Sequence, residues 1–123
     1  MGGEAIVARA RAVIGTRFRL HGRDRDGLDC VGLVALAHEV PNAPMGYALR
    51  SAGEARWSDC LDIIFERRRG PWVPGDILLM RAGPAQLHLG IWTGTSMIHA
   101  DARLRRVVEM PGRPDWPVIG HWF

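Results

Sequence analysis

Apolar residues recur at helical spacing along the first half of the chain and at strand spacing along the second. Ile6, Ala10, Val13 and Ile14 fall at i, i+4, i+7 and i+8, one face of a short opening helix that Gly15 ends. A polar loop from His21 to Gly27 follows. It leads into Asp29-Cys30-Val31-Gly32-Leu33-Val34-Ala35-Leu36-Ala37-His38, where Asp29 is suited to N-cap a buried helix that Pro41 and Pro44 stop. A third helix is predicted from about Gly53 to Arg69, with Trp57, Cys60, Leu61, Ile64 and Phe65 on one stripe. There the period changes to two. Pro74-Gly75-Asp76 is a turn signal, and strands are predicted over residues 77–80, 87–93, 96–100, 106–110 and 118–123. Helices followed by an antiparallel meander predict one α+β domain over residues 1–123. Its N-terminal helices pack on a C-terminal antiparallel sheet of about five strands, one face of which meets the helix that carries Cys30.

Composition narrows the class. A chain of 123 residues that is 47% apolar and 24% charged has the size and balance of one soluble domain, able to bury a core without disulfides or metals. No apolar run is long enough to span a membrane. Glu4, Arg9 and Arg11 interrupt the N-terminus where a secretory leader needs unbroken apolar residues, so no signal peptide and a cytoplasmic start are expected. Every one of the 16 basic side chains is arginine, and the net charge of +3 favours approach to an acidic polymer such as nucleic acid or bacterial wall. The arginines are scattered, without a basic stripe interleaved with aromatics, so nucleic acid is not an expected partner. Only Arg67-Arg68-Arg69 forms a run, read as a solvated helix end whose cations complement the helix dipole. Cys30 and Cys60 have neither metal-finger nor C-x-x-C spacing, and no disulfide between them is expected.

The chemistry centres on Cys30. At the first turn of its helix, unpaired N–H groups and the dipole favour an anion, so a lowered thiol pKa and nucleophilic character are expected. The competing reading is a small buried hydrophobe. Cys60, on the apolar stripe of the third helix, is read as core, and Cys30 is expected to be the more reactive thiol. A base is needed, and His88 and His99 stand out. In Leu87-His88-Leu89-Gly90-Ile91-Trp92 the alternation puts His88, Gly90 and Trp92 on one face. With Thr93-Gly94 as a two-residue turn, Trp92 faces Thr95, Gly90 faces Met97 and His88 faces His99, close enough for the imidazoles to interact. One histidine could take the thiol proton while the other orients it, and Gly90 would leave room for a substrate backbone. Two other readings stand beside this. The histidines could be a satisfied half-buried pair, or Cys30, His88 and His99 could hold a zinc ion with one open position. The zinc reading is weaker, because no two of the three share the local spacing of such ligands. The catalytic reading needs no cofactor and no metal. His21, His38 and His121 have no partner that the sequence identifies and are read as surface or structural.

The blocks IGTRFRLHGRDRDGLDCVGLVALAHE, PGDILLMR and HLGIWTGTSMIHA, in that order, resemble the NlpC-type family of papain-like cysteine peptidases, which cut bacterial peptidoglycan. The resemblance runs from about Ala10 to Ala100. The tail HADARLRRVVEMPGRPDWPVIGHWF is similar to the subgroup encoded in phage-tail and gene-transfer-agent clusters. The resemblance implies a papain-like fold with Cys30 as nucleophile, His88 as general base and His99 as the residue that orients the base. Asp29 would help to recognise a substrate amine. Phe18 stands where family members usually carry a tyrosine near the nucleophile, which removes one hydroxyl from the substrate side of the site. Val31 stands in place of the commoner serine. The implied activity is endopeptidase cleavage of a peptidoglycan peptide stem, with a γ-D-glutamyl–diaminopimelate bond as the leading substrate. Phage-like tail proteins are the implied partners, and delivery in such a particle to the periplasmic wall is the implied location. The alternative, which Phe18 favours, is a weak or inactive tail-tip structural or wall-binding module.

Overall fold

The computed structural model describes residues 2–40, 53–84 and 86–123. In chain order the elements are α1 (Gly3–Arg11), a small hairpin of β1 (Arg23–Asp24) and β2 (Gly27–Leu28), α2 (Cys30–His38), α3 (Glu54–Ile64), β3 (Arg67–Arg68), β4 (Ile77–Gly83), β5 (Gln86–Trp92), β6 (Ser96–Asp101), β7 (Arg106–Pro111) and β8 (Val118–Trp122). The last six strands form one antiparallel sheet in the order β3-β8-β4-β5-β6-β7. The α+β expectation therefore holds, with a sixth short strand added to the five expected.

Helix α2 forms because Asp29 caps it: Oδ1 accepts from the Gly32 N–H at 2.8 Å, satisfying a donor that has no partner within the helix. The helix ends at His38, with Glu39 in the left-handed region (φ 57°). Pro41 and Pro44 lie outside the described residues. Leu33, Val34 and Ala37 of α2 bury against Leu79, Leu89, Ile91 and Ile98 of the sheet, together with Ile6 and Ala10 of α1. Alternation sends Leu78, Met80, Trp92 and Met97 to the opposite face, where Trp72, Trp116 and Val118 cover them. Strand β4 is thus apolar on both faces.

Three local expectations are corrected. Ile14 is 43% exposed, because α1 ends at Arg11 and the chain turns through Gly15 (φ 91°) before helical spacing can bring Ile14 round; Val7 fills the buried face instead. Helix α3 stops at Ile64 and not near Arg69. It buries Trp57 and Leu61 but leaves Cys60 half-buried, so Cys60 is not a core thiol. Beyond Ile64 the chain runs extended. Glu66 and Phe123 exchange both backbone hydrogen bonds, and Arg67 and Arg68 pair with Trp122 and His121. The arginine run is therefore a strand and not a helix end. Its cations lie over rings, Arg67 4.9 Å from Trp122 and Arg68 4.4 Å from Phe123. At the other end of the sheet the segment from Gly15 to Phe18 lies along β7, bonded through Gly15 N–H to Val107 O, Val107 N–H to Thr16 O and Phe18 N–H to Arg105 O.

The β5–β6 turn positions the site. Thr93 N–H donates to Ser96 O at 2.9 Å, so the two turn residues are Gly94 and Thr95 and not Thr93 and Gly94. Gly94, at φ 111°, takes the first central position, where a primed turn needs positive φ. The register shifts by two: Trp92 faces Met97, and Ile91 faces Ile98. An even shift preserves the faces, so His88 and His99 stay on the same side. The paired ladder between β5 and β6 ends at Ile91 and Ile98.

Candidate active site

The N-terminus of α2 sits beside that split, with the helix touching both β5 and β6. Cys30, the first helical residue, is only 2% exposed. Its polar partners are backbone groups of Leu89, Val31 and Cys30 itself. Leu89 lies where β5 has left its pairing with β6, so its backbone faces the helix start. Burial, with the neighbouring Asp29 charge, pushes the Cys30 thiol up to about 12, against the smaller opposing pull of those backbone hydrogen bonds. The expected lowering is overturned: desolvation outweighs the helix terminus. In a Cys60→Ser variant, alkylation of Cys30 by iodoacetamide should therefore accelerate about tenfold per pH unit from about pH 7 to about pH 10, tracking the minor thiolate. A rate that levels off near neutral pH would show a thiolate already formed.

His88 on β5 and His99 on β6 meet each other beyond the paired part of the two strands. His88 Nε2 lies 2.8 Å from His99 Nδ1, with ring centroids 5.0 Å apart and the rings nearly perpendicular. The two-residue shift places them on a diagonal, and the contact survives because imidazoles reach that far. Burial holds both below the usual histidine range, His88 at about 3, while Asp101 at the end of β6 pulls each the other way. Both rings are thus neutral near pH 7. His88 hydrogen-bonds His99 and not the Cys30 sulfur.

Two neighbours of the pair escaped sequence reasoning. Trp116 sets its ring edge-on to both imidazoles, 5.5 Å from His88 and 5.6 Å from His99, and shields them from solvent. It lies in the irregular segment before β8, where no periodicity marks it. Met110 Sδ lies 3.0 Å from His99 Nε2. The β6–β7 register, His99 opposite Val108 and Met97 opposite Met110, could have placed it.

The remaining predicted residues make contacts within the chain. Asp29 is fully buried and its carboxylate serves this chain: Oδ1 accepts from Gly32 N–H and from Arg23 Nη1 at 3.0 Å, and Oδ2 accepts from His21 N–H at 2.8 Å. It is a cap and an anchor for the β1–β2 loop. Gly90 does not leave room for a substrate, because a Cβ there would meet Met97 Sδ at 2.6 Å and Met80 Cε at 3.2 Å. The space is filled by methionine. Phe18 is half-buried and packs against the helix-side core. His38 and His121 acquire partners that only the tertiary fold supplies. His38 Nε2 donates to Gly75 O at 3.0 Å, and His121 Nδ1 lies 2.9 Å from Asp76 Oδ2. Among the described residues no group of three His, Cys, Asp or Glu side chains is placed to hold a metal, and no helix is long and apolar enough to cross a membrane.

No protein-family model and no curated protein sequence matches the chain. Solved structures do. NlpC1 from Trichomonas vaginalis superposes with a TM-score of 0.74 at 23% identity, over 98% of this chain and 44% of that one. NlpC2 from the same organism gives 0.74 at 20%, over 98% and 47%. The chain thus spans less than half the length of either. The NlpC/p60 domain of peptidoglycan hydrolase SagA gives 0.63 at 23% identity, over 90% of each chain. The fold of this chain is that of the NlpC/p60 domains.

Proposed function

We propose that this domain is a cysteine endopeptidase that hydrolyses an amide in the peptide stem of bacterial peptidoglycan, with the γ-D-glutamyl–diaminopimelate bond as substrate. The observation that carries the reading is the hydrogen-bonded His88–His99 pair on β5 and β6, the two strands that α2, which starts at Cys30, packs against. The SagA domain, a peptidoglycan hydrolase, supports the substrate class. Cys30 gives its proton to neutral His88 as the sulfur attacks the carbonyl. Backbone N–H groups at the helix start stabilise the oxyanion. His88 returns the proton to the leaving amine, and water then hydrolyses the thioester. A neutral thiol and a neutral imidazole at rest mean that the proton moves as the sulfur attacks and not before it. The tail of the sequence supports a place in a phage-like or gene-transfer-agent particle, with tail proteins as partners.

The burial of Cys30 and the phenyl ring of Phe18 favour a second reading, a wall-binding module without turnover. Digestion of purified cell walls with muropeptides read by mass spectrometry separates the two. The enzyme reading expects cleaved stems with a new amino terminus at diaminopimelate, and faster release from Phe18→Tyr if the restored hydroxyl reaches the site. No release from several wall types, by wild type or by Phe18→Tyr, would put the module reading ahead.

A further inference from the structure

The contact of His99 with Met110 bears on which ring nitrogens carry protons. A thioether sulfur accepts a hydrogen bond weakly and has no hydrogen to give. His99 Nε2, 3.0 Å from Met110 Sδ, must therefore be the donor; a bare nitrogen at that distance would set one lone pair against another. A neutral His99 that carries its proton on Nε2 has a bare Nδ1. His88 Nε2, 2.8 Å from that atom, must then donate to it. His88, neutral in turn, is left with a bare Nδ1. The opposite arrangement, His99 Nδ1–H donating to His88 Nε2, protonates His88 Nδ1 and leaves His99 Nε2 bare against the sulfur. The His88–His99 contact tolerates both arrangements equally. Met110 does not.

We propose that Met110 is a positioning residue that fixes the tautomer of the His88–His99 pair, holding His88 Nδ1 unprotonated. Its importance for hydrolysis rests on the reading of His88 as base, but the tautomers themselves do not. Met110 acts from the third position of a relay that runs from His88 through His99 to the thioether. The side chain is 43% exposed and lies on β7, so its replacement leaves the core filled.

The test is long-range proton–nitrogen correlation NMR on protein labelled with nitrogen-15 histidine, near neutral pH, in wild type and Met110→Leu. Bare and protonated ring nitrogens are distinct in such spectra. In wild type both His88 and His99 should show the Nε2–H pattern. In Met110→Leu, which keeps the volume and removes the acceptor, the Nδ1–H pattern should appear in both rings together, because one proton shift forces the other. A wild-type His99 protonated on Nδ1, or tautomers unchanged in Met110→Leu, would overturn the proposal. Circular dichroism confirms that the variant is folded. Failure to cleave peptidoglycan would count against the proposed reaction and leave the tautomer assignment standing.

Discussion

Cys30→Ala should release no muropeptides from purified cell wall while keeping its fold. The sulfur is the only atom in the split able to form the thioester, so its loss removes the reaction and does not merely slow it. The structural cost is small. Removing one buried sulfur from a side chain that is 2% exposed costs about 1 kcal/mol, or about 3–5 °C in melting temperature for a domain of this length. His88→Ala should cut the rate by about 10²–10⁴, the usual worth of a general base. His99→Ala should cost less, since nucleophile and base both remain. Digestion assays beside thermal melts on the three variants check the order. Residual cleavage by Cys30→Ala would remove Cys30 from the mechanism, and equal losses from His88→Ala and His99→Ala would make the pair a single unit.

Gly32→Ala should be the most damaging small substitution near the site. A Cβ at Gly32 would lie 2.0 Å from the carbonyl oxygen of Gly22, and backbone on both sides leaves neither free to give way. The β1–β2 loop is strapped to the start of α2 there: Arg23 Nη1 bridges Gly22 O and Asp29 Oδ1, and Asp29 caps Gly32. Pushing the loop off by more than an ångström breaks that clamp. The gain in helix propensity from glycine to alanine, about 1 kcal/mol, offsets part of the overpacking. The net loss should be about 2–3 kcal/mol, with melting lowered by about 6–15 °C. Cleavage should fall with it, since the capped turn that carries Cys30 is what moves. Unchanged melting and activity would show that the loop yields at no cost.

The five main strands and the capped start of α2 were legible because each rests on local chemistry: alternation for the strands, an aspartate three residues before a helical N–H for the cap. The pairing of His88 with His99 was legible in kind but not in register. Thr93-Gly94-Thr95 accommodates a primed turn with glycine first or second, and the hydrogen bond from Thr93 N–H to Ser96 O, which settles it, is not written in residue types. The state of Cys30 was misjudged for a different reason. A helix terminus can be read from sequence, whereas the depth at which that terminus is buried depends on the sheet behind it. The arginine run failed likewise: Arg67 and Arg68 become strand because β8 offers them an unpaired side, which only the folded sheet creates. Gly90 looked like open space because the methionine that fills it arrives from another strand.

The two flanks of the sheet also govern how copies of this domain meet. A bare flank presents a row of amide and carbonyl groups on which a second chain can build, the common route to aggregation. Here β3 occupies one flank with two residues, both arginine, too short and too charged to template an addition. On the other, the chain from Gly15 to Phe18 takes up the outward groups around Val107, and β7 finishes on Pro111, which has no N–H to offer. Among the described residues, crowding therefore meets two flanks that offer a second chain only short stretches of unpaired backbone.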